Sequence, residues 1–90
     1  MSKDMKSAEE KILDNGFEDV VIFKDFSYDS ALIGVSNDNR AIYDFDLMID
    51  WLVEERGWTE QESIEWIEYN SIRALSYYEN SPIIMHRLLD

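Results

Sequence analysis

Apolar residues switch period along this chain, and the switches mark its elements. Ala8 and Ile12 recur at helical spacing after Ser7, and Glu10 three residues on completes a capping box. Asn15-Gly16 fits a left-handed stop, so a first helix is predicted near residues 8 to 15. From Phe17 to Phe26 the run Val20, Val21, Ile22, Phe23 is β-branched and aromatic and too short for a buried helix, which predicts a strand. Two further strands, Ala31 to Ser36 and Arg40 to Phe45, flank Asn37-Asp38-Asn39, residues that tolerate left-handed backbone, so a hairpin is expected. Ala41, Tyr43 and Phe45 alternate with Arg40, Ile42 and Asp44 and give that second strand one apolar face.

Helical spacing returns at Leu47, Met48, Trp51 and Leu52, capped by Asp44 or Asp46 and ended before Gly57. Thr59 with Glu62 is a second capping box and opens a third helix through about Leu75, with Ile64, Ile67, Ser71, Ala74 and Leu75 on one side. Pro82 stops any helix, and Ile83-Ile84-Met85 reads as a short last strand. The predicted order is α-β-β-β-α-α-β: an α+β domain in which helices cover one face of a small antiparallel sheet of three to four strands. The chain carries no repeat, linker or low-complexity tract and reads as one domain, residues 1–90.

Composition adds a sign to this scaffold. An apolar content of 46% with 13% aromatics supports a core, whereas twenty acidic residues against eight basic ones give a net charge of −12. Such a field attracts basic partners and repels nucleic acid and anionic membranes, so direct binding to either is not expected. With no cysteine there is no disulfide and no thiolate nucleophile or ligand. No segment has the length and apolarity of a membrane span, the first ten residues lack a signal-peptide core, and a cytoplasmic location is expected.

The acid is concentrated. Between Asp44 and Glu68 stand nine carboxylates against the single base Arg56, a balance of −8 over two consecutive helices. Glu62, Glu65 and Glu68, three apart, form a ridge beside Trp66 and Tyr69. A di-metal helical site would add histidines in Glu-x-x-His pairs, and none stands there, so no metal or cofactor is expected. The ridge is then either a solvated helical face or a surface for a basic partner. His86, the one imidazole, has no nucleophile pattern around it and reads as a surface or edge-strand residue. Asn37-Asp38-Asn39 begins like a calcium loop, but the glycine and glutamate such a loop needs at its sixth and twelfth positions are missing. The glycines, at 16, 34 and 57, are too scattered for a phosphate loop. No catalytic residue is named, and an enzyme is not expected.

Trp51 and Tyr43 read as core. Trp58, in the turn after Gly57, and Trp66, on the side of Glu62 and Asn70, are candidates for partial exposure, where tryptophan beside carboxylates anchors interfaces. Asn70 and Arg73 read either as helix-surface residues or, the favoured reading, as an internal polar lock in which Arg73 can pair with a carboxylate. The predicted partner-binding set is Asp46, Asp50, Glu54, Glu55, Trp58, Glu62, Glu65, Trp66 and Glu68.

The segments Tyr28-Asp29-Ser30-Ala31-Leu32-Ile33-Gly34-Val35-Ser36, Arg40-Ala41-Ile42-Tyr43-Asp44, Gly57-Trp58-Thr59 and Glu65 to Leu75 resemble a group of short acidic uncharacterised proteins of Firmicutes and their phages and mobile elements. The resemblance implies an accessory role and supplies no catalytic residues. By size, charge and setting alone, the implied function is an acidic inhibitor of a basic nucleic-acid-binding bacterial protein, a DNA mimic or an anti-CRISPR acting on a CRISPR effector. The alternatives are an antitoxin or immunity-type protein, and a regulatory domain that self-associates, as a homodimer, with its acidity serving solubility.

Overall fold

The structure is a computed structural model and describes residues 6–89. Three α-helices and a three-stranded mixed sheet make an α+β fold: α1 (Ala8–Asp14), β1 (Leu32–Val35), β2 (Ala41–Asp44), α2 (Phe45–Arg56), α3 (Glu60–Trp66) and β3 (Ile83–Met85). Strand order is β1-β2-β3.

Local chemistry sets the helix boundaries as the sequence implies. Both capping boxes are closed reciprocally: Ser7 with Glu10 at α1, Thr59 with Glu62 at α3. Asn15-Gly16 ends α1 in a doubly bonded left-handed stop, with Gly16 N–H donating to Leu13 O at 3.0 Å and Phe17 N–H to Ile12 O at 3.1 Å. Gly57, at φ +72°, ends α2 in the same left-handed region, where a Cβ would be strained.

Two expectations about the sheet are corrected. Residues 17 to 26 form no strand. Adjacent Ile22 and Phe23 both turn into the core, which the period of two in a strand forbids, and Asp19 at φ +60° breaks the extended path. The segment instead crosses the core as irregular chain, held at one end by Asn39 Nδ2 donating to Glu18 O at 3.0 Å. The sheet is also not wholly antiparallel. The β1-β2 hairpin is antiparallel, with Leu32 opposite Tyr43 and the exposed Ile33 bulged out of register, whereas β3 pairs parallel to β2, Ile83 opposite Ile42 and Met85 opposite Asp44. The chain between β2 and β3 runs through α2 and α3, and a helical crossover of that length returns a strand in the direction it left. Arg40 fastens the returning chain, donating through Nε to Ser81 O at 2.8 Å.

The third helix reaches past Leu75 but changes its winding. Residues Ile67–Ile72 form a π-helix, and Leu75–Tyr77 a closing 3₁₀ turn. The predicted stripe holds through the change, with Ile67 and Ser71 buried and Ile64, Ala74 and Leu75 half-buried. Ser63 is also fully buried, its hydroxyl donating to Thr59 O at 2.8 Å.

The core is aromatic at its centre. Tyr28, Tyr43, Met48, Leu52 and Ile67 have no exposed surface, and Phe23 packs on Tyr28 and Tyr43 at ring separations of 5.7 and 4.9 Å. Tyr28 sits at φ +48°, ψ +49°, a region a bulky residue occupies only when its surroundings hold it there. Its hydroxyl, 2.8 Å from Ser71 Oγ, ties the 3₁₀ turn Asp29–Ala31 to the π segment. The Tyr43 hydroxyl is buried with no hydrogen bond of good geometry. Burial pushes its pKa far above the ordinary tyrosine value, an effect that the Phe23 backbone eases without satisfying the group.

Asp44 joins sheet, helix and C-terminal segment. It is buried, accepts from the Leu47 N–H at 3.1 Å as the cap of α2, and accepts from Arg87 Nε at 2.7 Å. Burial opposes its charge, but the Arg87 and Leu47 bonds outweigh burial and hold its pKa below the ordinary carboxylate value. The folded protein therefore binds this proton less readily than the unfolded chain. The stabilisation is complete above the unfolded pKa of about 3.9 and is lost as pH falls through the lower folded value. Asp44→Asn keeps a capping side chain but loses the charge, so it is expected to cost about 1–2 kcal/mol at neutral pH. In thermal melts from pH 7 to pH 3, the gap between variant and parent should close at the acid end; a constant gap would count against the ion pair.

Candidate anionic and aromatic interface

The nine residues expected to meet a partner fall into two sets rather than one surface. Asp46, Asp50 and Glu54 are exposed at intervals of four along α2 and so make one stripe. The stripe begins beside Arg87, whose guanidinium feels Asp44 most, then Asp46 and Asp50, and is held in its charged form by them. Asp44 itself, though counted in the acidic run, is not surface at all.

The second set lies along α3. Trp58, Glu62, Glu65, Trp66 and Tyr69 line an open groove of about 590 Å³. The two indoles are 5.6 Å apart at 56°, and Phe26 packs against both, at 5.9 Å from Trp58 and 5.2 Å from Trp66. Phe26 thus connects the groove to the core through Trp51 and Tyr28. Tyr69, 70% exposed, forms the outer wall; the sequence placed it beside the acidic ridge without assigning it to the site. Glu55 and Glu68 are exposed but do not line the groove. Glu68 lies off the groove because every step of three residues falls about 60° short of a full helical turn, whereas Tyr69, seven residues after Glu62, returns to its face.

Trp66 is half-buried, and its Nε1 is inside without a hydrogen bond of normal geometry. Its closest polar influence is on the Tyr28 hydroxyl. Burial raises the pKa of that hydroxyl, and Ser71 and Trp66 moderate the rise. The expected Asn70–Arg73 lock is not an ion pair. Asn70 Nδ2 donates to Trp66 O at 3.2 Å, and Arg73 is exposed, its guanidinium 4.9 Å from the Tyr69 ring centroid and without a carboxylate partner among the described residues. His86 is exposed just after β3 and stacks on Phe45 at 4.7 Å.

Charge dominates this face. Among the described residues the ion pairs are Lys6–Asp14, Arg40–Asp38 and Arg87–Asp44, so eight of the nine carboxylates from Asp44 to Glu68 are exposed and unpaired. Among the described residues no three histidine or acidic side chains gather closely enough to hold a metal ion, and no helix is long and apolar enough to cross a membrane. Eight uncompensated charges repel one another, and salt screens that repulsion at Debye lengths of about 8–10 Å. The melting temperature is therefore expected to rise as sodium chloride is added from low concentration to physiological ionic strength; a fall would show that self-repulsion does not limit stability. The chain matches no protein-family model, no curated protein and no solved structure.

Proposed function

We propose that this is a binding protein rather than an enzyme: a small acidic inhibitor that covers the nucleic-acid surface of a basic bacterial protein. The observation that carries the reading is the run of exposed, unpaired carboxylates on α2 and α3 beside a groove walled by Trp58, Trp66 and Tyr69. Along the α2 stripe, charges rise about 6 Å apart. A DNA strand carries one charge per about 3.4 Å, so the stripe has roughly half that linear density. Charge of this kind gives fast, salt-sensitive association with a basic channel, and the aromatic groove adds the specificity that charge alone lacks.

The resemblance to short acidic proteins of Firmicutes and their mobile elements, read from the sequence alone, suggests an accessory role, for which a CRISPR effector is a fitting target. An antitoxin or immunity protein would use the same surface against a basic toxin. Self-association through the β1 edge is less well supported, because Lys11 Nζ already donates to Asp29 O and Leu32 O at 2.6 and 2.7 Å and places a cation at that edge.

The test is capture from bacterial lysate with the tagged protein, followed by challenge with competing DNA and with salt. Recovery of a basic nucleic-acid-binding protein that both challenges release supports the reading. Recovery of this chain alone, with a dimer in sedimentation, replaces it with self-association.

A further inference from the structure

Both carboxylates in the groove make one local hydrogen bond: Glu62 Oε1 accepts from the Thr59 N–H at 2.9 Å, and Glu65 Oε2 accepts from Gln61 Nε2 at 3.0 Å. Each leaves its other oxygen unbonded among the described residues. No basic residue lines the groove, although Arg73 packs on its Tyr69 wall. Beside the carboxylates are three aromatic rings, whose faces carry the negative lobe of the ring quadrupole. Anionic oxygens next to aromatic faces suit an organic cation.

We propose that this groove receives an arginine side chain of the basic partner, with the guanidinium stacked on Trp58 or Trp66 and hydrogen-bonded to Glu62 and Glu65. The proposal rests on the inhibitory reading above and names the group that reading leaves open. Arginine fits better than lysine on two counts. Its planar fork matches carboxylate oxygens while its face lies on a ring, and it gives up hydration more readily than the compact ammonium. The same packing occurs twice within the chain, with Arg56 5.4 Å from the Phe26 centroid and Arg73 4.9 Å from that of Tyr69. Basic nucleic-acid channels present arginines for phosphate, so an arginine drawn in by the surrounding acid meets a seat that a plain anionic surface lacks.

Calorimetric titration of the full chain with an oligo-arginine peptide and with an oligo-lysine peptide of equal length, at physiological ionic strength, tests this. The arginine peptide is expected to bind about tenfold more tightly, the scale of a partly desolvated cation–π contact. Glu65→Gln removes an exposed carboxylate that is in no ion pair among the described residues and should weaken the arginine peptide by about threefold to tenfold more than the lysine peptide. Equal affinity for the two peptides, or a preference untouched by Glu65→Gln, overturns the arginine seat and leaves the acidic inhibitor standing; if neither peptide binds, both fall.

Discussion

Reversing Asp50, Glu65 and Glu68 to lysine is expected to abolish capture of the basic partner. All three are exposed, and none is ion-paired among the described residues. Each reversal replaces an attraction with a repulsion of similar size, and together they move the net charge by six units, from −12 to −6. Like charges brought together at an interface cost several kcal/mol, so affinity should fall about 100-fold or more, mostly through slower association with a weaker salt dependence. Glu62 is left alone deliberately: its carboxylate closes the capping box of α3, and changing it would confound binding with helix stability. Surface plasmon resonance against the captured partner at two salt concentrations reads both terms, and circular dichroism confirms the fold. Near-parental affinity would mean that these carboxylates are only solvated.

The largest loss of stability is expected at Tyr28. Tyr28→Ala empties a site with no exposed surface, removes ring contacts to Phe23, Phe26, Tyr43 and Trp51, and strands the Ser71 hydroxyl. Truncation of a buried aromatic costs about 3–5 kcal/mol. Domains of this size are stabilised by about 5–13 kcal/mol, so the loss would take a large share of the total. Tyr28→Phe isolates the polar part: the ring stays, the bond to Ser71 goes, and about 1–2 kcal/mol should be lost. Urea denaturation of the two variants separates ring from hydroxyl. Equal losses would show that the hydroxyl, and with it the link to the π segment, carries the effect.

What could be read from the sequence was what depends on a few neighbouring residues. Ser7 with Glu10, Thr59 with Glu62, Gly57 and the Asn37–Asn39 turn specify their local geometry because their capping and turn-closing bonds span only a few residues. Long-range features escaped. The residues around Val20 to Phe23 have the composition of a strand, but their apolar side chains are used as packing rather than in a ladder. The direction of β3 depends on where α2 and α3 deliver the chain, which Ile83-Ile84-Met85 does not encode. The site was partly legible. Trp58, Glu62, Glu65 and Trp66 do come together, because the spacing of α3 joins three of them and Gly57 turns the fourth toward them. The separation of the α2 stripe depends on helix packing, whereas Glu62, Glu65, Trp66 and Tyr69 stand at i, i+3, i+4 and i+7, so the helical period itself puts Tyr69 on that face and Glu68 off it.

The parallel pairing of β3 with β2 also sets an order of assembly. The β1-β2 hairpin closes across a short turn, whereas Ile42 must wait for Ile83, with both helices intervening, and loop-closure entropy makes that contact the slower one. Until it forms, the outer edge of β2 has unpaired backbone groups while Tyr43 and Ala41 are still gathering the core, which is the arrangement that recruits strands from other chains. The dense negative charge of the intervening helices acts against such recruitment, since mutual repulsion keeps half-folded copies apart through the interval in which that edge is open.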